Sequence, residues 1–128
     1  MKEYSESIKG KVLIIDDDPR NIFALKAVLL SRHINTVCAS DATEGLQLIH
    51  ADPSIRMVLI DIMMPDMDGY EAIREIRKRD ERDVAVIAVT AQAMRGDREK
   101  SLAAGADEYL SKPIDVDKLM ELITRTIR

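Results

Sequence analysis

The sequence predicts a doubly wound α/β domain: a five-stranded parallel sheet with five helices packed on its two faces. Three observations carry this. Short runs rich in β-branched residues alternate with longer segments of helical periodicity. The runs begin roughly 22 to 28 residues apart, close to the length of one strand–helix unit with its loops. Three of them are nearly continuous apolar stretches, as parallel strands covered on both faces require.

Residues 1–9 are polar and patternless and read as a flexible lead-in to a domain spanning 10–128. The first strand is 11–15. Asp18 then supplies an N-cap and Pro19 the first helical position, after which Ile22, Leu25 and Leu29 recur on one face. The second strand is 34–38. Asp41 and Glu44 have the spacing of a capping box ahead of Leu46 and Ile49. The third strand, 56–60, leads to a helix marked by Tyr70, Ile73 and Ile76. The fourth, 84–89, leads to a shorter helix from Asp97 to Ala104, stopped by Gly105. The fifth, 107–110, precedes a last helix over 115–128 that turns Val116, Leu119, Ile123 and Ile127 inward.

Composition narrows the function. A chain of 128 residues with 46% apolar content has enough material for one full core without staples. Its single cysteine, Cys38, excludes an internal disulfide and a cysteine-built zinc site. The longest apolar run is six residues, 84–89, against the roughly 18 that a membrane span needs. No charged region followed by an apolar one opens the sequence, so the expectation is a cytoplasmic protein without membrane contact. A net charge of −4 and only four aromatics (Tyr4, Phe23, Tyr70, Tyr109) argue against direct nucleic-acid binding.

The acids are more informative by position than by number. In an open parallel sheet, ligands bind outside the carboxyl ends of the strands. The first strand ends in Asp16, Asp17 and Asp18, the third in Asp61 and the fourth in Thr90, and the fifth leads into Lys112. Loops are polar in any protein, but that does not account for carboxylates set directly after apolar central strands, where like charges repel. The cluster calls for a cation, and carboxylate oxygens suit Mg2+, with Mn2+ as the alternative, better than zinc. Carboxylates, a hard metal, a hydroxyl and an ammonium together fit phosphoryl transfer, in which an aspartate can be the nucleophile. Asp61 stands alone on its strand and suits that part; Asp16 and Asp17 come as a metal-binding pair.

These residues resemble a known family, the response-regulator receiver domain of two-component and phosphorelay signalling. The matching segments are Val12-Leu13-Ile14-Ile15-Asp16-Asp17-Asp18, then Leu59-Ile60-Asp61-Ile62-Met63-Met64-Pro65-Asp66-Met67-Asp68-Gly69, then Val89-Thr90-Ala91, and Gly105-Ala106-Asp107-Glu108-Tyr109-Leu110-Ser111-Lys112-Pro113. They occur in family order, and the likeness runs from about residue 11 to 127. It implies the flavodoxin-like, CheY-like strand order 2-1-3-4-5. It implies Asp61 as phosphoacceptor, Asp17 and Asp61 as direct Mg2+ ligands with the Met63 carbonyl, and Asp16 as a ligand through water. Thr90 would be the switch hydroxyl, Tyr109 the switch aromatic, Lys112 the phosphate-binding lysine, and Lys112-Pro113 a cis peptide. The implied donor is a histidine kinase or a histidine phosphotransfer protein. A downstream protein would meet the face formed by the fourth helix, fifth strand and fifth helix.

Other assignments of the same residues are weaker. Asp66, Asp68, Gly69 and Glu75 partly match a calcium-binding EF-hand loop, but Met64 would occupy its first ligand position. His33 and His50 are isolated and read as surface residues, and Cys38 reads as a small core residue. Met63, Met64 and Met67 suit either a partner contact or packing over the turn. Arg74, Arg77, Lys78, Arg79, Arg95, Arg98 and Lys100 are interleaved with acids and read as solvated helix faces. An aspartyl-phosphate hydrolase would need a second acid near the nucleophile and a substrate lid; Met63 stands where that acid is needed, and no insertion is long enough for a lid. The expectation is therefore a signalling module, not a turnover enzyme, that catalyses its own phosphorylation and slow dephosphorylation. Met63 cannot orient an attacking water whereas Gln92 can, which points to a phosphorylated state of intermediate or long life. The chain reads either as a stand-alone receiver or as one receiver of a hybrid kinase or larger regulator, whose receivers the segments 8–12 and 90–94 resemble.

Overall fold

The computed structural model describes residues 10–64, 69–79, 84–91 and 95–126. Strands β1 (Lys11–Ile15), β2 (Asn35–Ala39), β3 (Ile55–Asp61), β4 (Ala85–Thr90) and β5 (Glu108–Ser111) form one sheet in the order β2-β1-β3-β4-β5. Every neighbouring pair is parallel. Between and after the strands run α1 (Pro19–Ser31), α2 (Ala42–Ala51), α3 (Gly69–Arg79), α4 (Asp97–Ala104) and α5 (Val116–Thr126).

Alternation along the strands divides the core into two layers. Leu13, Ile15, Val58, Ile60, Val86 and Ala88 face α2, α3 and α4, where Ile49, Ile73 and Ile76 meet them. Val12, Ile14, Met57, Leu59, Ile87 and Val89 face the other way, against Leu29 of α1 and Leu119, Met120 and Ile123 of α5. Both faces of β3 and β4 are thus buried, which is why these strands read as unbroken apolar runs.

The helix starts are built as the sequence suggests, with two refinements. Asp18 caps α1 by accepting from the Arg20 N–H at 2.9 Å, and Pro19 occupies the first helical turn. Asp41 accepts from the Glu44 N–H at 2.8 Å, but the Glu44 carboxylate reaches back to the N–H of Ser40, at 3.0 Å, one residue before the cap. Asp115 lies outside the last helix and not within it. Its carboxylate accepts from the N–H groups of Asp117 at 2.9 Å and Lys118 at 3.3 Å, so it is the cap. Ile127, like the lead-in 1–9, lies outside the described residues.

One basic residue departs from the solvated helix face on which the sequence puts it. Arg74, Lys78, Arg95, Arg98 and Lys100 are exposed, but Arg77 is drawn in at the amino-terminal edge of the sheet. Its guanidinium donates to the Gly105 carbonyl at 2.7 Å, to the Val84 carbonyl, and to Asp107 Oδ2 at 2.7 Å. Asp107 in turn accepts from the Val86 N–H at 2.8 Å. Arg77 therefore ties α3 to the starts of β4 and β5, at the rim opposite the carboxyl ends. Its fork geometry satisfies two carbonyls and a carboxylate at once, which a lysine could not do.

Candidate functional site

Strand register assembles the acidic edge. Ile15 pairs with Ile60, so Asp16 and Asp61 leave neighbouring strands at the same height. Asp61 pairs with Val89, which puts Thr90 one residue beyond it on β4, and Thr90 pairs with Ser111, one residue before Lys112. The Lys112 N–H donates to the Thr90 carbonyl at 2.7 Å and fixes where the lysine leaves the sheet. The peptide that follows, Lys112-Pro113, is cis.

Asp16 and Asp61 are buried and Asp17 is exposed, and one carboxylate oxygen from each lies within 4.8 Å of the others. Two unit charges at that separation repel by about 3.5 kcal/mol at an effective dielectric of ~20. The Lys112 ammonium offsets part of this, at 3.1 Å from Asp16 Oδ2 and 3.5 Å from Asp61 Oδ2. Backbone donors hold the other oxygens: the Asp18 N–H bonds Asp16 Oδ1 and the Met63 N–H bonds Asp61 Oδ1, each at 2.9 Å. Burial pushes the Asp61 carboxyl above its ordinary range, and the Asp16 charge adds to this; the Met63 N–H and Lys112 pull against it. Three carboxylates facing one ammonium leave an excess of negative charge. The donor set is all oxygen, so the pocket fits a hard divalent cation.

Thr90 is fully buried at the end of β4. Tyr109 on β5 pairs with Ala88, two residues before Thr90, so Tyr109 and Thr90 point to the same face of the sheet. Ala88 is small and leaves room for the ring. Tyr109 is half-buried against the layer that α3 and α4 cover, and its hydroxyl is shut off from solvent.

The loop methionines separate: Met64 is buried in the core, whereas Met63 is 55% exposed beside Asp61. Pro65, Asp66, Met67, Asp68, Gln92 and Met94 lie outside the described residues. His33 and His50 are exposed, and Cys38 is partly buried in β2 with its thiol pushed up by burial. Phe23 and Leu30, exposed at 76% and 63%, were not distinguished by the sequence reading. Their spacing of seven on α1, out of phase with Ile22, Leu25 and Leu29, is the signal that marks a second apolar stripe. Tyr70 is a second residue whose part only packing reveals: its hydroxyl donates to Asp97 of α4 at 3.0 Å.

Strand order and acidic edge together define a receiver-type α/β domain. The chain belongs to the response regulator receiver domain family, whose sequence pattern residues 12–124 match. Among its relatives, the histidine-protein kinase BarA of Shigella flexneri is 40% identical over 119 residues, covering 89% of this chain and 12% of BarA. The transcriptional regulatory protein CpxR of Escherichia coli is 34% identical over 119 residues, covering 93% of this chain and half of CpxR. The chain thus spans from about a tenth to a half of the length of these relatives. Among solved structures, the receiver domain of the Pseudomonas aeruginosa sensor histidine kinase PA1611, with magnesium in its active-site cleft, matches with a TM-score of 0.83. It is 33% identical, and the match covers 93% of this chain and 98% of that one. The receiver domain of yeast (Saccharomyces cerevisiae) Ssk1, solved with the histidine phosphotransfer protein Ypd1, matches with a TM-score of 0.85 at 25% identity, over 94% and 90% of the two chains. This chain is accordingly a receiver domain of two-component phosphorelay signalling. Among the described residues, no helix is long and apolar enough to cross a membrane.

Proposed function

We propose that Asp61 is the phosphoacceptor. The observation that carries this is the convergence of Asp16, Asp17 and Asp61 within 4.8 Å, with Lys112 against the buried pair. A phosphohistidine on a histidine kinase or phosphotransfer protein is the donor. An Asp61 oxygen attacks phosphorus, the P–N bond breaks, and the imidazole leaves with that electron pair, so an acyl phosphate forms at Asp61. Asp17, Asp61 and the Met63 carbonyl would hold Mg2+, with Asp16 acting through water. When bound, the ion neutralises charge on the transferred phosphoryl oxygens. Lys112 then moves from balancing Asp16 and Asp61 to pairing with a phosphoryl oxygen. Phe23 and Met63 offer exposed apolar surface beside the pocket, Phe23 one turn into the helix that opens there, for the donor protein to rest on.

Thr90 hydrogen-bonds the new phosphoryl group, and the space it leaves on the shared face admits Tyr109. The altered surface of α4, β5 and α5 is what a downstream partner reads, a local charge event biasing a two-state element. Met63 gives no polar group to orient water near the acyl phosphate, so the phosphorylated state is slow to hydrolyse.

The test is labelling from a phosphohistidine donor or acetyl phosphate with Mg2+. Wild-type protein takes up about one phosphoryl group per chain without repeated turnover, and Asp61→Asn takes up none. Undiminished labelling of Asp61→Asn would falsify the assignment.

A further inference from the structure

A second set of polar contacts lies outside the acidic pocket, along the seam of α3 and α4. Tyr70, in the first turn of α3, donates its hydroxyl proton to Oδ1 of Asp97, the first residue of α4, at 3.0 Å. Arg77, two turns further along α3, donates to the carbonyl of Gly105, the residue that caps the carboxyl end of α4, at 2.7 Å. From Tyr70 to Arg77 a helix rises about 10.5 Å, and from Asp97 to Gly105 about 12 Å, so the two contacts meet at matching heights on neighbouring helices. α3 thus holds α4 at both ends.

The two fastenings differ in kind. At the carboxyl end the Arg77 guanidinium also donates to the Val84 carbonyl, and to Asp107 Oδ2 at 2.7 Å, so it joins α4 to the starts of β4 and β5. Its stem fills the space beside Gly105, where an added Cβ would stand 2.6 Å from Arg77 Cγ. At the amino end a phenol has one proton to give. The capping residue there, Gly96, makes no side-chain hydrogen bond to the first turn. Nothing among the described residues lies within 4 Å of where its Cβ would stand. Burial first, and then the bond to Asp97, push the Tyr70 hydroxyl up to about 12, so the phenol keeps its proton at neutral pH.

We propose that α4 is a lever, pinned by Arg77 at its carboxyl end and latched by the Tyr70–Asp97 bond at its amino end. This rests on the reading of α4, β5 and α5 as the face that responds to phosphorylation. α4 follows β4 and runs back from the carboxyl edge of the sheet, so the latched end is the one on the pocket side. Releasing the latch exchanges a phenol–carboxylate bond for bonds to water. Moving the other end breaks contacts to two carbonyls and a carboxylate and strips Gly105 of its packing. α4 therefore opens from the pocket side and turns about Gly105. Tyr70 is a positioning residue in this device, acting on the partner-facing helix through Asp97.

Backbone amide exchange in the full chain, followed by nuclear magnetic resonance, tests this. The Lys100 N–H, bonded to the Gly96 carbonyl, reports the amino end of α4; those of Gly105 and Ala106, bonded to the Leu102 and Ser101 carbonyls, report the carboxyl end. In Tyr70→Phe the ring stays and the latch is lost. The Lys100 amide should then exchange about tenfold faster, the low end of what a hydrogen bond to a charged group carries, while Gly105 and Ala106 keep their wild-type rates. Equal acceleration at both ends, or none at Lys100, overturns the lever. Acetyl phosphate with Mg2+ should speed the wild-type Lys100 amide in the same end-selective way and add little in Tyr70→Phe. A chain labelled at Asp61 whose Lys100 amide is unmoved overturns the latch and leaves the phosphoacceptor in place. A chain that takes no label, yet shows the end-selective effect of Tyr70→Phe, keeps the lever and removes the phosphoacceptor.

Discussion

The Lys112 ammonium lies 3.1 Å from the Asp16 carboxylate, although 96 residues separate them in the chain. The contact is a partial remedy, since Asp17 and Asp61 share the same pocket and, among the described residues, Lys112 is the cation set against these three acids. A divalent ion that binds there and not to the unfolded chain stabilises the fold by RT ln(1 + c/Kd) at free ion concentration c.

Adding Mg2+ to metal-free protein should therefore raise the melting temperature, by the equivalent of about 2.7 kcal/mol at a hundred times the dissociation constant. Asp17→Asn should lose most of that rise while raising the stability of the metal-free protein, because one member of a repelling set is neutralised. Thermal unfolding followed by circular dichroism, in chelator and in Mg2+, measures both. An Asp17→Asn protein that responds to Mg2+ as the wild type does would remove Asp17 from the site.

Gly69 opens α3 where the backbone just after Asp61 passes close by. A Cβ added there would stand 2.2 Å from the Ile62 Cα, a backbone atom that cannot swing aside. Gly69→Ala should cost about 1–3 kcal/mol, the usual range for overpacking. It should also weaken the Mg2+ response, since moving Ile62 disturbs the Met63 N–H that holds Asp61. Urea unfolding and a Mg2+ titration of the same variant check the two effects.

Much of this was legible in the sequence, and the reason is topological. Asp16, Asp61 and Thr90 directly follow apolar strands, and Lys112 follows the fifth strand by one residue. In a parallel sheet every strand ends on one edge, so chain position alone predicts convergence. Arg77, Tyr70 and Asp97 were not legible because their roles depend on which helix faces which. Arg77 looks like its exposed neighbours Arg74 and Lys78 until α3 is docked beside Gly105 and Asp107. Tyr70 reads as an inward apolar position, and only the approach of α4 gives its hydroxyl an acceptor.

Acid should expose one further pair. Lys11 Nζ lies 2.9 Å from Asp52 Oδ2, and the Ser54 N–H and hydroxyl bond Asp52 Oδ1. The Ser54 hydroxyl first, then Lys11, hold the Asp52 carboxyl at about 2, below its ordinary 3.8. The folded chain takes up that proton less readily than the unfolded chain. The stabilisation is thus complete above about pH 4 and is lost as pH falls through about 2. Urea unfolding of Asp52→Asn should show a deficit against wild type at pH 7 that closes toward pH 2. A deficit of constant size at every pH would count against the ionised Asp52 carboxylate, held by Ser54 and Lys11, as its source.

His33 follows α1 with φ of 65°, a left-handed conformation that costs a side chain with a Cβ. Its N–H donates to the Leu30 carbonyl and that of Ile34 to Leu29, each at 2.9 Å, so the turn is needed to close the helix. His33→Gly should raise stability by about 0.5–1 kcal/mol, somewhat reduced by the greater freedom of glycine in the unfolded chain. A higher urea midpoint with an unchanged slope is the expected result.

The strand order has a consequence for how the pocket comes into being. β1 lies between β2 and β3, so the first three strands form a contiguous set that ends at Asp61 and contains all three carboxylates. Thr90, Tyr109 and Lys112 belong to the later stretch, which joins that set within the sheet at one strand pair, β3 against β4, and across it through α5 and Lys112. The acidic pocket and the Thr90–Tyr109 face are thus made by different lengths of chain and share, within the sheet, one strand pair. Whatever parts that pair separates Asp61 from Thr90 and opens the pocket and the face beside it together.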